Sequence, residues 1–455
     1  YNAVCPVSLS EERDLKIVYS PLHGTGLTSV DPIFKKLGFD VALDPVTSNL
    51  SGAFENVTFN IPNPEVVESF DHSLPFAKEM DADILLSTDP DADRIGVMLK
   101  HNGDWRFLSG NEIGVILSQY AISKIKAQGR LNPDNVIIKT DVTTSLIQKI
   151  ATDNGIRCIG DLLVGFKYIG DLMNKIEADN QIDKFIMGTE ESHGYLTGNY
   201  ARDKDAACAA IWLGGHAAEL KSRNKTLLDD LDDIYARYGY CHNYLTEIRL
   251  LGAKGMEQIL MIMNHLRETR IDAFGDFSVQ QKIDRRDGEP QPHLSPTDTS
   301  ARNMLVYHMD NTPDTTSLRV TVRPSGTEPK IKMYFEVFGK PFKVENIEPE
   351  KEKMIKLREQ LEKNVMQYCY QLLDVDFPDR GFLLFWQLPL DDKLKYFEIE
   401  DDIIGLKSIS HENERKEQLL KLLEFLDANP IQKIDKAFKE KYKIGILQYL
   451  GLPEQ

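Results

Sequence analysis

Short apolar runs alternate with amphipathic stretches over the first half of the chain. The runs Lys16–Tyr19 and Ile84–Leu86 are typical of buried strands, and the apolar residues from Ile113 to Lys126 have helical spacing. Because strand and helix signals alternate up to about residue 235, the pattern predicts layered βαβ units with binding sites at the carboxyl ends of the strands. Further strands are predicted at 39–43, 95–99, 136–138 and 185–187, and a hairpin turn at Asn102-Gly103.

The pattern changes after about residue 240. Leu318–Val322 and Lys332–Val337 alternate between apolar and polar residues, which is typical of half-exposed antiparallel strands. A loop is predicted at Asp310–Thr316 and a charged helix at 348–373, and the aromatic patch Phe382–Trp386 precedes two amphipathic helical stretches. The predicted class is α/β, with layered α/β domains at 1–107 and 108–235, a smaller α+β domain at 236–378 and a helical tail at 379–455.

The composition limits the kinds of molecule that the protein is expected to bind. The chain has 455 residues, of which 42% are hydrophobic and 27% charged, which is typical of a globular protein. Its 54 basic and 71 acidic side chains give a net charge of −17, which argues against the basic face of a nucleic-acid or anionic-membrane binder. No secretion signal or long apolar run occurs, and the five cysteines are scattered without CxxC spacing. We therefore expect a cytoplasmic protein that binds neither nucleic acid nor membrane.

Three aspartates at alternate positions follow the predicted strand Ile84–Leu86. Asp89, Asp91 and Asp93 can direct carboxylate oxygens at one hard cation, and Mg²⁺ fits because it leaves coordination positions for phosphate or water. The adjacent Arg94 can balance charge or hold an anion. The alternatives are an acidic surface turn and, because of Asp89-Pro-Asp91, the nucleophile of an aspartate-dependent phosphatase.

A second polar loop, Gly188–Gly194, follows the short strand predicted at 185–187. Glu190 and Ser192 can exchange hydrogen bonds with sugar hydroxyls, and His193 lies beside them. The alternative is an ordinary polar loop. The nearby stretch Arg202–Asp205 opens an Ala-rich helix. The N-cap position of that helix is a sufficient explanation for Asp205.

A third loop joins the two alternating strands near residue 325. Arg323, Ser325, Gly326 and Thr327 combine a cation, two hydroxyls and a flexible backbone, which suits a bound phosphate group. The alternative is a plain β-turn. Lys167, after the turn at Gly165, is a further cation placed to meet phosphate.

Taken together and in this order, these loops resemble those of the α-D-phosphohexomutase family, which includes phosphoglucomutase and phosphomannomutase. The similarity extends over roughly residues 10–375 and leaves the tail outside. It is closest to the phosphoglucomutase/phosphopentomutase branch, because Glu190-Glu191-Ser192 leads into Gly194-Tyr195. The loops that carry the resemblance are His23-Gly24, Pro62–Glu65, Thr88–Arg94, Gly165–Lys167, Gly188–Gly194, Arg202–Asp205 and Arg323–Thr327.

The resemblance implies a reaction that moves phosphate between two hydroxyls of a sugar through a phosphoserine and a bisphosphosugar. It implies Mg²⁺ as cofactor, a glucose 1,6-bisphosphate-type activator and a phosphosugar as the partner molecule. It assigns the metal to Asp89, Asp91 and Asp93, the sugar hydroxyls to Glu190 and Ser192, the non-transferred phosphate to Arg323, Ser325, Gly326 and Thr327, and catalytic positions to Arg94, Lys167 and His193.

Two departures from the family pattern change the expectation. Many relatives have a histidine two residues after the sugar-binding serine, where this chain has Gly194, and its His193 comes one residue earlier. The family's Thr-Ala-Ser-His-Asn-Pro-like phosphoserine loop does not occur in the sequence, whose first residue is Tyr1 and whose first matching strand begins near Leu15. We therefore expect domains two to four of a phosphohexomutase, inactive without the N-terminal phosphoserine domain.

The resemblance favours interconversion of glucose 1-phosphate and glucose 6-phosphate. The alternatives are a mutase for mannose or pentose phosphates and a non-catalytic phosphosugar-binding protein. No oligomeric state is predicted.

Overall fold

The structure is a computed structural model that describes residues 13–287, 294, 298–326, 328–376, 381, 388–426 and 429–453. The chain forms two compact units. Unit 1 contains residues 1–241, 290–295 and 339–351, and unit 2 contains residues 242–289, 296–338 and 352–455. The site residue Thr327 and the aromatic patch Phe382–Trp386 lie outside the described residues.

The first sheet of unit 1 is mixed and has five strands in the order β2-β1-β3-β4-β5. β1 pairs in parallel with β2 and β3, while β4 and β5 continue the sheet as antiparallel strands. The turn between the last two strands has positive φ at Asn102 and Gly103, as predicted for a two-residue hairpin. The elements are β1 (Lys16–Ser20), α1 (Val30–Leu37), β2 (Asp40–Leu43), α2 (Ser73–Glu79), β3 (Ile84–Thr88), β4 (Ile95–His101) and β5 (Asp104–Leu108).

The second sheet of unit 1 has four strands in the order β7-β6-β8-β9, of which the first three are parallel. The helix after β5 begins with a capping box, in which Ser109 accepts from the backbone N–H of Glu112 and the Glu112 side chain accepts from the backbone of Ser109. The elements are α3 (Gly110–Ala127), β6 (Val136–Thr140), α4 (Leu146–Asp153), β7 (Arg157–Leu162), α5 (Phe166–Ala178), β8 (Phe185–Glu190), β9 (Gly194–Thr197), α6 (Ala206–Lys221) and α7 (Leu227–Tyr238).

The central strands of unit 1 are buried on both faces, which explains their unbroken apolar sequences. β3 and β8 are buried at every position. Helix α6 is also buried over most of its length, and its small side chains let it pack against both β9 and α1. Polar residues that follow these strands are therefore held on rigid supports.

Unit 2 is built on one six-stranded sheet in the order β10-β15-β14-β13-β12-β11. The pairs β11–β12, β12–β13 and β13–β14 are antiparallel. The elements are β10 (Cys241–Arg249), α8 (Gly252–Glu268), β11 (Ala273–Phe274), β12 (Phe277–Asp284), α9 (Asp298–Ala301), β13 (Leu305–Met309), β14 (Thr315–Pro324), β15 (Lys330–Gly339) and α10 (Ile347–Gln371).

The end of the chain is helical and has a hydrophobic core of its own. That core includes Tyr396, Ile403, Leu419 and Phe438, all fully buried. The helices are α11 (Leu390–Gly405), α12 (Glu412–Leu422), α13 (Pro430–Tyr442) and α14 (Ile446–Leu450).

The predicted fold class, layered α/β domains followed by an α+β domain and a helical tail, is confirmed. Two details differ. The described part of the tail has four helices where two amphipathic stretches were predicted, because Pro430 and Gly445 interrupt the longer pattern. The predicted loop Asp310–Thr316 ends earlier, since β14 begins at Thr315. The four domain boundaries stay predictions. Among the described residues, no helix combines the length and apolarity that a membrane crossing requires.

Candidate functional site

Asp89 organises the loop that follows β3. The residue is 1% exposed, and its Oδ1 accepts hydrogen bonds from the backbone N–H groups of Asp93 and Arg94, both at 3.0 Å. The carboxylate therefore closes the loop on itself and fixes the directions of the side chains that follow.

Arg94 provides the positive charge of this loop. Its Nε lies 2.6 Å from Oδ2 of Asp89, and its NH1 group donates to Oε1 of Glu65 at 2.7 Å. Burial raises the pKa of Asp89 to about 6, although the hydrogen bonds and charge of Arg94 act in the opposite direction. The positive charge and hydrogen bonds of Arg94 thus offset only part of the cost of burying the charged Asp89 carboxylate.

The three aspartates form a set of oxygen donors. One carboxylate oxygen from each of Asp89, Asp91 and Asp93 lies within 4.8 Å of the other two. Small hard cations such as Mg²⁺ are bound by a few carboxylates with water or phosphate in the remaining positions, so the donor set fits this metal.

Glu190 ends β8 and begins the second polar loop. It is 4% exposed, and burial followed by the nearby charge of Glu191 raises its pKa to about 8. Oε2 of Glu191 accepts a hydrogen bond from Oγ1 of Thr140 at 3.3 Å. Ser192 is half-buried in the same loop. The predicted sugar-reading residues therefore lie at the carboxyl end of the second sheet.

The Asp89 loop and the Glu190 loop are joined through their backbones. Arg94 and Gly194 form an antiparallel β-bridge, and the N–H of Ile95 donates to the carbonyl of His193 at 3.1 Å. These contacts bring the metal-ligand candidates and the sugar-loop candidates into one site, although they come from different sheets.

His193 contributes to the connection between the Asp89 loop and the Glu190 loop. Its ring is 3% exposed, Nδ1 donates to the carbonyl of Ile95 at 3.0 Å, and the ring stacks on Phe107. Burial lowers its pKa. A catalytic role for His193 stays a prediction, and its buried contacts are those of a residue that positions the loop.

A third loop, which directly precedes α6, contacts the Asp89 loop. Nζ of Lys204 lies 2.6 Å from Oδ2 of Asp93, and the N–H of Ala206 donates to the carbonyl of Ala92 at 3.1 Å. Asp205 accepts from the N–H of Ala207 at 2.8 Å, which confirms that it is the N-cap. Lys204 was not among the residues predicted for the site, although its motif Arg202–Asp205 was recognised in the sequence.

Two further residues, neither of which was predicted from the sequence, lie at the carboxyl end of the second sheet. A Cβ atom at Gly110 would lie 2.0 Å from the carbonyl oxygen of Glu191, so only glycine fits at the start of α3. Lys139 on β6 is buried, and its Nζ donates to the carbonyls of Thr140, Thr143 and Gly160. No motif marks either residue, because each is defined by neighbours that are distant in sequence.

Lys167 lies in the first turn of α5, directly after β7. Its Nζ is 5.0 Å from the centre of the Tyr168 ring. Because β7 and β8 both run parallel to β6, Lys167 and Glu190 belong to the same edge of the sheet. Its catalytic role stays a prediction.

The predicted phosphate loop lies in unit 2, between β14 and β15. The N–H of Ser325 donates to the carbonyl of Lys330 at 2.8 Å, and this bond closes the loop around Gly326. Nε of Arg323 is buried and has no hydrogen-bond partner among the residues that the structure describes. A buried guanidinium N–H without a partner is consistent with an anion as its natural ligand.

Two domains of a known family match unit 1. "Phosphoglucomutase/phosphomannomutase, alpha/beta/alpha domain II" matches residues 2–103, and domain III of the same family matches residues 109–238. The two matched ranges together span slightly more than half of the chain.

Phosphoglucomutases of two staphylococci are similar to this chain in sequence. A phosphoglucomutase of Staphylococcus saprophyticus is 30% identical over 349 residues, covering 74% of this chain and 59% of that protein. One of Staphylococcus aureus is 32% identical over 348 residues, covering 71% and 57%. The chain thus spans somewhat under three fifths of the length of these relatives.

The structural matches extend the similarity in fold beyond the two matched domains. The structure of parafusin, a phosphoglucomutase from Paramecium, aligns with a TM-score of 0.54 at 16% identity and covers 80% of this chain and 60% of that one. A phosphoglucomutase/phosphomannomutase family protein from Burkholderia thailandensis aligns with a TM-score of 0.50 at 17% identity, covering 79% and 63%. With its two matched domains and the curated relatives, this chain belongs to the phosphoglucomutase/phosphomannomutase family.

Proposed function

We propose that the chain carries the metal-binding, sugar-binding and phosphate-binding parts of a mutase that interconverts sugar 1-phosphates and sugar 6-phosphates, with glucose phosphates as the favoured substrates. The observation that carries this proposal is the backbone bridge between Arg94 and Gly194, which unites the aspartate loop and the Glu190 loop in one site. An isolated acidic turn or an isolated polar loop would not require such a joint.

In this proposal Asp89, Asp91 and Asp93 hold Mg²⁺, which supplies electrostatic stabilisation of a phosphoryl group during transfer. Arg94 keeps Asp89 in place through its 2.6 Å contact, and Lys204 does the same for Asp93. The protein's own contribution here is therefore a set of carboxylates held in fixed positions before substrate binds.

Glu190 reads sugar hydroxyls in this proposal, together with Ser192. A pKa of about 8 keeps the Glu190 carboxyl largely protonated at neutral pH, so that it can both donate and accept a hydrogen bond. That versatility suits a substrate that must bind in two orientations. Arg323, Ser325, Gly326 and Thr327 grip the phosphate that is not being transferred, and Lys167 lies near the reacting end.

The sequence contains no Thr-Ala-Ser-His-Asn-Pro-like loop, so in this proposal the phosphoserine comes from outside these 455 residues. A glucose 1,6-bisphosphate-type activator would phosphorylate that serine. We also propose a cytoplasmic location, because the five cysteines are scattered without the spacing of a disulfide framework.

The experiment is calorimetric titration of the purified chain with glucose 6-phosphate in the presence of Mg²⁺, together with an assay of glucose 1-phosphate to glucose 6-phosphate conversion with added glucose 1,6-bisphosphate. Binding without turnover is expected. The variant Arg323→Met should weaken binding at least about tenfold, because a charge-assisted contact to phosphate is lost. The matched control is Arg270→Met, whose side chain is 90% exposed and paired with Asp272.

Each outcome distinguishes the alternatives. Turnover by the chain alone would show that its phosphate carrier lies within it and would refute the assignment of the nucleophile. Release of inorganic phosphate with a hydroxylamine-sensitive aspartyl phosphate would support the phosphatase alternative. Equal binding by both arginine variants would contradict the assigned phosphate loop.

A further inference from the structure

A cavity of about 380 Å³ lies at the end of the second sheet that is opposite to the proposed mutase site. It contacts Phe185 at the start of β8, whereas Glu190 ends the same strand. At about 3.3 Å per residue, the two sites are roughly 17 Å apart along β8. Small-molecule sites commonly have volumes of roughly 300–1,000 Å³, so the size suits a ligand rather than a few waters.

The cavity has an apolar floor. Trp212 is 1% exposed, and Phe185 and Ile186 are 7% and 4% exposed, so their side chains present a dry, rigid surface. Trp212 borders the cavity from within this rigid floor, so its fluorescence can report on a bound ligand.

The rim is polar and carries more positive than negative charge. Arg130 and Lys184 line it together with Asp183, and the asparagines Asn132 and Asn199 supply amide groups. In a chain with a net charge of −17, two cations at one cavity are a local reversal of sign. Amides and a carboxylate suit hydroxyl groups, whereas the cations suit a phosphate.

Hydrogen bonds hold the edges of the cavity in place. The buried Asn135 accepts from the N–H of Asn132 at 2.8 Å and donates to the carbonyl of Lys184 at 3.3 Å, which ties two edges together. On the third edge, the guanidinium of Arg202 donates to the carbonyl of Asn199 at 2.9 Å. The cavity is therefore formed before a ligand arrives, which lowers the entropy loss on binding.

The one opposing charge is weakly held. Nζ of Lys184 lies 3.1 Å from Oδ2 of Asp183, whose side chain is 67% exposed. Exposed ion pairs contribute little to stability, so a phosphate can take the place of this carboxylate at small loss.

We propose that this cavity binds a small phosphorylated polyhydroxyl molecule, with the phosphate on Arg130 and Lys184 and the rest of the molecule over the apolar floor. The ligand chemistry is shared by sugar phosphates and nucleoside monophosphates. The site is distinct from the mutase site and does not depend on the function proposed for it.

The test is calorimetric titration of the full chain with glucose 6-phosphate and with AMP, each compared with glucose and adenosine. Trp212 fluorescence, measured in a Trp105→Phe/Trp386→Phe background, reports binding at the cavity itself. The variant Lys184→Met should weaken the Trp212 response at least about tenfold. The control Lys126→Met removes a charge from an exposed residue of α3 that does not line the cavity, and should leave the response unchanged.

A tighter response to AMP identifies a nucleotide site, and a tighter response to glucose 6-phosphate identifies a sugar phosphate site. Retention of the Trp212 response in Arg323→Met would show that the cavity acts independently of the proposed phosphate loop. The proposal is overturned if no probe alters Trp212, if glucose and adenosine bind as tightly as their phosphates, or if the two lysine variants respond alike.

Discussion

Nζ of Lys204 lies 2.6 Å from Oδ2 of Asp93, so an ammonium group already contacts one of the three carboxylates that form the candidate metal site. The lysine side chain is 17% exposed, and the desolvated pair joins the loop before α6 to the loop after β3. Lys204 therefore has two opposing effects: it holds Asp93 in position, and its charge repels a divalent cation.

Replacement of Lys204 by methionine should increase the affinity for Mg²⁺. One positive charge at several ångströms in a partly hydrated site is worth about 1 kcal/mol, which corresponds to roughly fivefold tighter binding. Calorimetric titration with Mg²⁺ measures the change, and Lys204→Arg, which keeps the charge, is the matched control. Unchanged or weaker Mg²⁺ affinity in Lys204→Met would contradict the prediction that repulsion by this lysine outweighs its positioning of Asp93.

Lys139→Met should lower the free energy of unfolding by about 3 kcal/mol, because three backbone carbonyls lose the buried ammonium to which they bond. Urea denaturation measures this loss. Lys149→Met, an exposed lysine on α4, is the control and should change stability by less than about 0.5 kcal/mol. A similar effect of both substitutions would show that the carbonyl contacts of Lys139 contribute little.

Only glycine should be tolerated at position 110, where α3 contacts the Glu190 loop. In Gly110→Ala the new Cβ would lie 2.0 Å from the Glu191 carbonyl oxygen, so the loop or the helix must move. We expect weaker glucose 6-phosphate binding and a loss of about 2 kcal/mol or more in stability, measured by calorimetry and urea denaturation. Gly52→Ala, which meets no atom within 4 Å, should change neither property.

The order of strands and helices was predictable because buried strands such as Ile84–Thr88 have unbroken apolar sequences and the turn at Asn102-Gly103 has the residues that a tight hairpin requires. The aspartate loop was predictable for a similar reason, since its chemistry is local. β10 was not predicted, because its buried and exposed positions do not alternate in a simple way.

The residues that join the loops were harder to predict. Lys204 meets Asp93, Lys139 meets Gly160, and Gly110 meets Glu191, and each pair is brought together only by packing between elements far apart in the chain. A lone lysine or glycine has no sequence pattern that indicates such a partner. The helical tail shows the same limit, because amphipathic spacing predicts its helices but not the core that they share.

A buried lysine in the tail should make stability depend on pH. Lys393 on α11 is 2% exposed, and burial lowers its pKa from 10.5 to about 8 despite the attraction of Glu362 and Glu247. Between pH 8 and 10.5 the unfolded chain binds more protons at this residue than the folded chain does, so its contribution to the free energy of unfolding rises with pH. Below pH 8 the native state bears the full penalty of the buried charge.

Lys393→Met should therefore stabilise the protein at pH 7 by about 3–4 kcal/mol, since a pKa lowered from 10.5 to about 8 costs about 1.4 kcal/mol for each pH unit. The advantage over the unsubstituted protein should shrink between pH 8 and 10.5, because the unsubstituted protein no longer holds a buried charge there. Urea denaturation at pH 7, 9 and 10.5 measures this difference. The exposed Lys407→Met is the control, and it should show no such trend. A stability difference independent of pH would mean that Lys393 acts through packing and not through its charge.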